Sequence, residues 1–236
     1  MLGRVRPETL DHVALWVADR DAIADVLTER VGMHVIDRTD AFTLVGSHAR
    51  HGKLTLFAAE GPRERGALKH VALRVSSNEQ AEAELDGFEV DRPREGEVYF
   101  DVHEGLRIGL VEAPTEVEYD IDHVALWSEA PEETAKAYLG LGFSAAEPGP
   151  SGAPRVEAGG AFVEFHDGQP GDPEKPLLNH LAVKVDSTED HIAEARDLGL
   201  EIADIVDAAN TYAVFVWGPE RVKVEYVEHK PSFSLR

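Results

Sequence analysis

A fourfold internal repeat constrains this chain more than any other feature. LDHVALWV from Leu10, LKHVALRV from Leu68, IDHVALWS from Ile121 and LNHLAVKV from Leu178 are copies of one segment. Each carries a His third and an Ala two residues later, inside an apolar run that reads as a buried strand. A helical stretch follows each copy and closes at a glycine: Gly32, Gly87, Gly142 and Gly199. Asp19, Ser77 and Ser187 are suited to cap the helix N-termini, and glycine to end them. Three short strand-like runs come after each glycine; in the last copy they are LEIADIVD, TYAVFVWG and RVKVEYVE. The repeat therefore predicts an α+β fold built from four βαβββ modules.

The spacing shows two levels of duplication. His12 to His123 spans 111 positions and His70 to His180 spans 110, whereas the two copies within each half are 58 and 57 apart. Two tandem halves are expected, residues 1–114 and 120–230, each pairing its own two modules, with 231–236 as a tail. The polar stretch EAPTEVEYD marks the boundary.

Composition narrows the partners. With 23 basic and 45 acidic residues the net charge is −22. Such a chain lacks the basic face that displaces counterions from nucleic acid, and is repelled by anionic membranes. It contains no cysteine, so thiolate ligands and nucleophiles are excluded. No apolar run approaches the ~20 residues of a membrane span. A cytoplasmic protein acting on a small molecule is expected, with self-association left open.

Strand alternation identifies the chemistry. His123, Ala125 and Trp127 share one face; so do His180, Ala182 and Lys184. On last strands, Glu164 and Glu225 point away from their apolar neighbours. Matching positions in the first half are His12, Thr55, His70 and Gly109. The second half thus keeps two imidazoles and two carboxylates, and the first half only imidazoles. Two His and one or two carboxylates suit one divalent metal per chain, Fe(II), Mn, Co, Ni or Zn. His12 and His70 read as structural residues or remnants of a decayed site. Trp127 and Lys184, four residues beyond their His, are candidate substrate contacts, against the simpler reading as strand ends. Tyr212 is a candidate for the pocket mouth. His48, His51, His103, His166, His191 and His229 read as surface residues.

These modules, their H-V-A-L strands and the final-strand carboxylate resemble the vicinal oxygen chelate superfamily. That group includes glyoxalase I, bleomycin-resistance proteins and extradiol dioxygenases. The resemblance implies paired modules closing into two half-barrel domains. By likeness to four-module dioxygenases, it implies a metal in the second half, held by His123, His180 and Glu225. It favours Fe(II) and a dioxygenase-like reaction on vicinal oxygens. Phe215 stands where those enzymes carry a Tyr, and no His precedes it closely. The order His123-Glu164-His180-Glu225 resembles bacterial glyoxalase I instead, with Glu164 as fourth ligand or base. A glyoxalase-type isomerase or lyase is therefore the alternative, and a metal-free binding or resistance protein a third.

Overall fold

The structure, a computed structural model, describes residues 6–234. The end of the expected tail at 235–236 and the side chain of His51 lie outside that description. Four modules are present. The first comprises β1 (Thr9–Val17), α1 (Arg20–Glu29), β2 (His34–Arg38), β3 (Phe42–His48) and β4 (His51–Ala58). The second comprises β5 (Leu68–Val75), α2 (Asn78–Ala83), β6 (Val90–Asp91), β7 (Glu97–Asp101) and β8 (Arg107–Glu112). The third has β9 (Asp120–Ser128), α3 (Pro131–Gly140), β10 (Ser144–Ala145), β11 (Arg155–Ala158) and β12 (Ala161–Asp167). The fourth has β13 (Leu178–Lys184), α4 (Thr188–Asp197), β14 (Ile202–Asp207), β15 (Thr211–Trp217) and β16 (Lys223–His229).

Local chemistry sets the helix limits. The side chains of Asp19, Ser77 and Ser187 accept from backbone N–H groups three residues on, as expected of N-caps. Gly32 and Gly142 leave their helices at φ of +88° and +93°, a conformation that costs other residues strain. The helices then lie on the apolar face of the sheets. Val13 and Leu15 of β1 are buried with Ile23 and Leu27 of α1, and Leu181 and Val183 of β13 with Ile192 and Ala195 of α4. Each of these Val, Leu and Ile side chains contributes roughly 1.5–3 kcal/mol by leaving water. The opposite face of each sheet is left free for polar chemistry.

The modules do not pair within the halves as expected. One eight-stranded sheet runs β14-β15-β16-β13-β1-β4-β3-β2 and the other β10-β11-β12-β9-β5-β8-β7-β6. The first module is therefore joined to the fourth and the second to the third. Both joints are antiparallel pairings of first strands, Val13 opposite Leu181 and Val71 opposite Val124. The reason is chemical equivalence: all four first strands carry the same pattern, so the repeat alone does not choose a partner. Within each module the first strand runs parallel to the last. That register sets Ala14 beside Thr55, Ala72 beside Gly109, Ala125 beside Glu164 and Ala182 beside Glu225.

Candidate metal centre and its counterpart

Antiparallel pairing of two H-x-A strands has a geometric consequence. In the joint of the first and fourth modules, His12 faces Ala182 and Ala14 faces His180. Each imidazole is thus diagonal to the other, with a methyl group opposite it leaving room. The two rings meet edge to face, 5.3 Å between centroids. Glu225, beside Ala182, completes the group. His12 Nε2 and His180 Nε2 are 3.1 Å apart, and Glu225 Oε2 lies 3.3 Å from the former and 2.9 Å from the latter. Donors about 2.1 Å from one metal ion and at right angles to each other stand about 3.0 Å apart. These three residues could hold a metal ion, and they fit that spacing. The expected fourth carboxylate is replaced by Thr55.

The neighbouring residue fixes each ring. His12 Nδ1–H donates to Asp11 at 2.9 Å, and His180 Nδ1–H donates to Asn179 Oδ1 at 3.2 Å. Both Nε2 atoms then face the common point, the orientation shared by most metal-binding imidazoles. Asp11 is itself 2.6 Å from Lys53 Nζ and 2.7 Å from His229 Nε2. Burial works against charge at all three donors, but Asp11 and Glu225 outweigh it at His12 and carry that imidazole up to about 9. Glu225, despite burial, is drawn down to about 2 by His180 and His12. His180 is lowered, since burial there exceeds the pull of Glu225. The site is an acidic group balanced by one shared positive charge, which a divalent cation would replace. Phe215 (5.1 Å between ring centroids) and Phe57 (6.3 Å) wall His180 with aromatic surface.

The ligand set read from the second half is therefore corrected. His180 and Glu225 are together, but His123 and Glu164 belong to the other sheet. There the same joint recurs, with His70 Nε2 2.9 Å from His123 Nε2. His123 is held by Asp122 at 2.7 Å. Glu164 is engaged by other partners, 3.3 Å from His166 Nε2 and 3.5 Å from Arg155, and despite its burial is held below the usual carboxylate range by His166 and the nearby His123. At the position matching Glu225 stands Gly109, and the Tyr99 ring fills the space: a Cβ there would meet it at 2.5 Å. His70 lacks an acidic neighbour in sequence, since Lys69 precedes it. Burial next to His123 holds its imidazole far below the usual range.

Other candidates also fall differently. Trp127 lies on the same sheet as this second imidazole pair, 6.3 Å from His166 and under the Lys69 ammonium at 4.9 Å. Lys184 pairs with Glu8 at the strand end. Tyr212 is on the helix side of β15, its hydroxyl donating to Glu189 at 3.2 Å. Of the six histidines read as surface residues, His191 and His229 are buried, at 3% residue exposure and 5% side-chain exposure respectively, and the His166 side chain is 14% exposed. The sequence reading missed His12 as a member of the group and Lys223, a half-buried cation two residues before Glu225 on the same face. The signal for His12 was present: an acid or amide precedes three of the four repeat histidines, including His12 and His180.

Residues 9–98 match the family model of the Glyoxalase/Bleomycin resistance protein/Dioxygenase superfamily. The chain carries the four-module fold of this group, the vicinal oxygen chelate superfamily, and the resemblance drawn from its repeats is borne out. A proposed dioxygenase from Bacillus subtilis is 16% identical with a TM-score of 0.78, over 98% of this chain and 88% of that one. Glyoxalase I from Zea mays is 17% identical with a TM-score of 0.73, over 93% and 92%. The cppA protein of Streptococcus pneumoniae is 15% identical with a TM-score of 0.62, over 95% and 100%. At such identities the likeness is one of fold. No curated protein sequence matches the chain. No helix among the described residues is long and apolar enough to cross a membrane.

Proposed function

We propose that the chain is a metal-dependent enzyme that chelates two vicinal oxygens of a small substrate at His12, His180 and Glu225, with Fe(II) as the favoured ion and a dioxygenase-like reaction. The convergence of two imidazoles and one carboxylate on a single point carries this reading. Such a face leaves ligand positions open for substrate. When bound, the ion would act as a Lewis acid toward an enolate- or catecholate-like anion. The protein's own residues supply the rest. Asp11 and Asn179 hold the ring tautomers. Phe57 and Phe215 offer a planar apolar substrate its walls. Lys223, whose ammonium is disfavoured by burial, is suited to neutralise a substrate oxygen or pass it a proton.

Thr55 favours this reading over a glyoxalase-type isomerase, because the second carboxylate of that alternative stands in the other sheet. Elemental analysis of anaerobically purified protein should find one Fe per chain. Oxygen uptake with catechols supports the proposal. Oxygen-independent turnover of the methylglyoxal–glutathione hemithioacetal would replace it with the isomerase. Protein that takes up no metal, and whose melting is unmoved by Fe, Ni or Zn, would overturn both.

A further inference from the structure

We propose that the cavity over His70 and His123 is a metal-independent binding site for a small aromatic carboxylate. This site is separate from the His12–His180–Glu225 group and does not rest on the function proposed for it. The cavity measures about 310 Å³, the small end of the range for ligand pockets. Its build keeps the Asp122 support of His123 but departs from the other joint at the carboxylate position and before His70. The carboxylate position is Gly109, closed by the Tyr99 ring. The remaining carboxylate, Glu164, is engaged by His166 and Arg155. Gly149 packs so closely on Glu164 that a Cβ there would lie 2.2 Å from its Oε1, holding the side chain in that place.

Cations stand among the carboxylates of this cavity. Lys69, Arg94, Arg107 and Arg155 line the cavity beside an equal number of carboxylates, and Glu97, Asp91 and Glu164 pair with the three guanidiniums. Lys69 occupies the position that is Asp11, Asp122 or Asn179 in the other repeats. Its ammonium donates to His166 Nδ1 at 2.9 Å and stands over the Trp127 ring. Among the described residues, it has no carboxylate within 4.0 Å. Burial disfavours its charge; Glu164, linked through His166, attracts this ammonium without pairing with it directly, and an arriving anion would relieve the remaining cost. Arg94 commits only Nη1 to Glu97, leaving Nε and Nη2 for a planar acceptor. Tyr99 and Phe162 give the body of the ligand two aromatic faces, and the Arg155 guanidinium stacks on the latter at 3.7 Å. A carboxylate on a ring matches this combination of a forked donor, an ammonium and aromatic walls.

The test uses benzoate and its neutral isostere benzamide, titrated calorimetrically into the full-length protein. Benzoate should bind saturably and at least about tenfold more tightly than benzamide. Lys69→Met should weaken benzoate about tenfold, while Lys69→Arg should stay within about threefold of the parent, excluding a folding defect. Glu225→Ala should leave benzoate binding unchanged, so failure of the metal proposal and failure of this one are distinguishable. Absent benzoate binding, equal affinity for benzamide, or an unaffected Lys69→Met variant would each overturn the proposal. So would two metal ions per chain falling to one in Glu164→Gln.

Discussion

His12 Nε2 and His180 Nε2 stand 3.1 Å apart across one strand joint, although 168 positions separate them in the chain. Neither residue belongs to a site by itself. Their proximity follows from the pairing of β1 with β13, and it brings a residue of the first module into the candidate metal group. His12→Ala and Glu225→Ala should therefore each purify with less than about a tenth of the parent's metal, and His123→Ala with a normal content, by elemental analysis. Metal loss in His123→Ala alone would restore the ligand set inferred from the tandem halves.

Asn179 tests the orientation of the His180 ring. Asn179→Ala removes the acceptor for His180 Nδ1–H without removing a ligand. Metal affinity, measured by competition with a chelator, should fall roughly 10–100-fold, while the apo protein keeps its melting temperature within a few degrees.

Metal uptake should release protons at neutral pH. In the free protein His12 is held up to about 9 by Asp11 and Glu225, so it is protonated at pH 7.5. A metal ion requires it neutral. Calorimetric titrations in buffers of different ionisation enthalpy should report about one proton released per ion, and affinity should weaken as pH falls. The same shift stabilises the metal-free fold: that contribution is complete below the unfolded value of 6.5 and disappears as pH rises through about 9.

His191 should have the opposite effect in acid. Its side chain is 4% exposed and its ring is stacked on Tyr226 at 3.5 Å, and burial lowers it from 6.5 to about 4. The unfolded chain therefore binds the proton first, and stability drops as pH falls from 6.5 toward 4. The loss is on the order of 3 kcal/mol. His191→Phe keeps a ring against Tyr226 and removes the titration. Its denaturant midpoint should fall less between pH 7 and pH 4.5 than the parent's.

Gly109 offers a way to convert the second imidazole pair. Gly109→Glu alone drives a side chain into Tyr99, and should cost roughly 1–3 kcal/mol by chemical denaturation. Combined with Tyr99→Ala, the same substitution places a carboxylate beside His70 and His123. Metal content should then rise from one to two per chain. An unchanged content in the folded double variant would show that the pair lacks more than a carboxylate.

Much of this architecture is legible in the sequence because period and capping are local properties. The H-x-A strands, the caps Asp19, Ser77 and Ser187, and the inward face of Glu164 and Glu225 all follow from short-range rules. Matching Thr55 with Glu164 and Gly109 with Glu225 was also within reach, since those positions share a register. The partner of each module was not. β1 and β9 present nearly the same surface to β5 and β13, and the free energy that separates the two arrangements resides in connections and packing across the whole chain. That single ambiguity exchanged His123 for His12. Tyr99 and Lys69 were hidden for another reason: their meaning appears only when a ring on another strand or an empty position defines the space around them.

The nested order of the sheets has a consequence for synthesis. The inner joint uses strands between Leu68 and Asp167, and is complete before β13 has been translated. The outer joint needs residues from both ends of that order, so β1 must wait with an unpaired edge while three modules emerge. On the function proposed above, metal capture at His12, His180 and Glu225 would then be the last event of assembly, and a bound ion would mark the closure of the outer ring of modules.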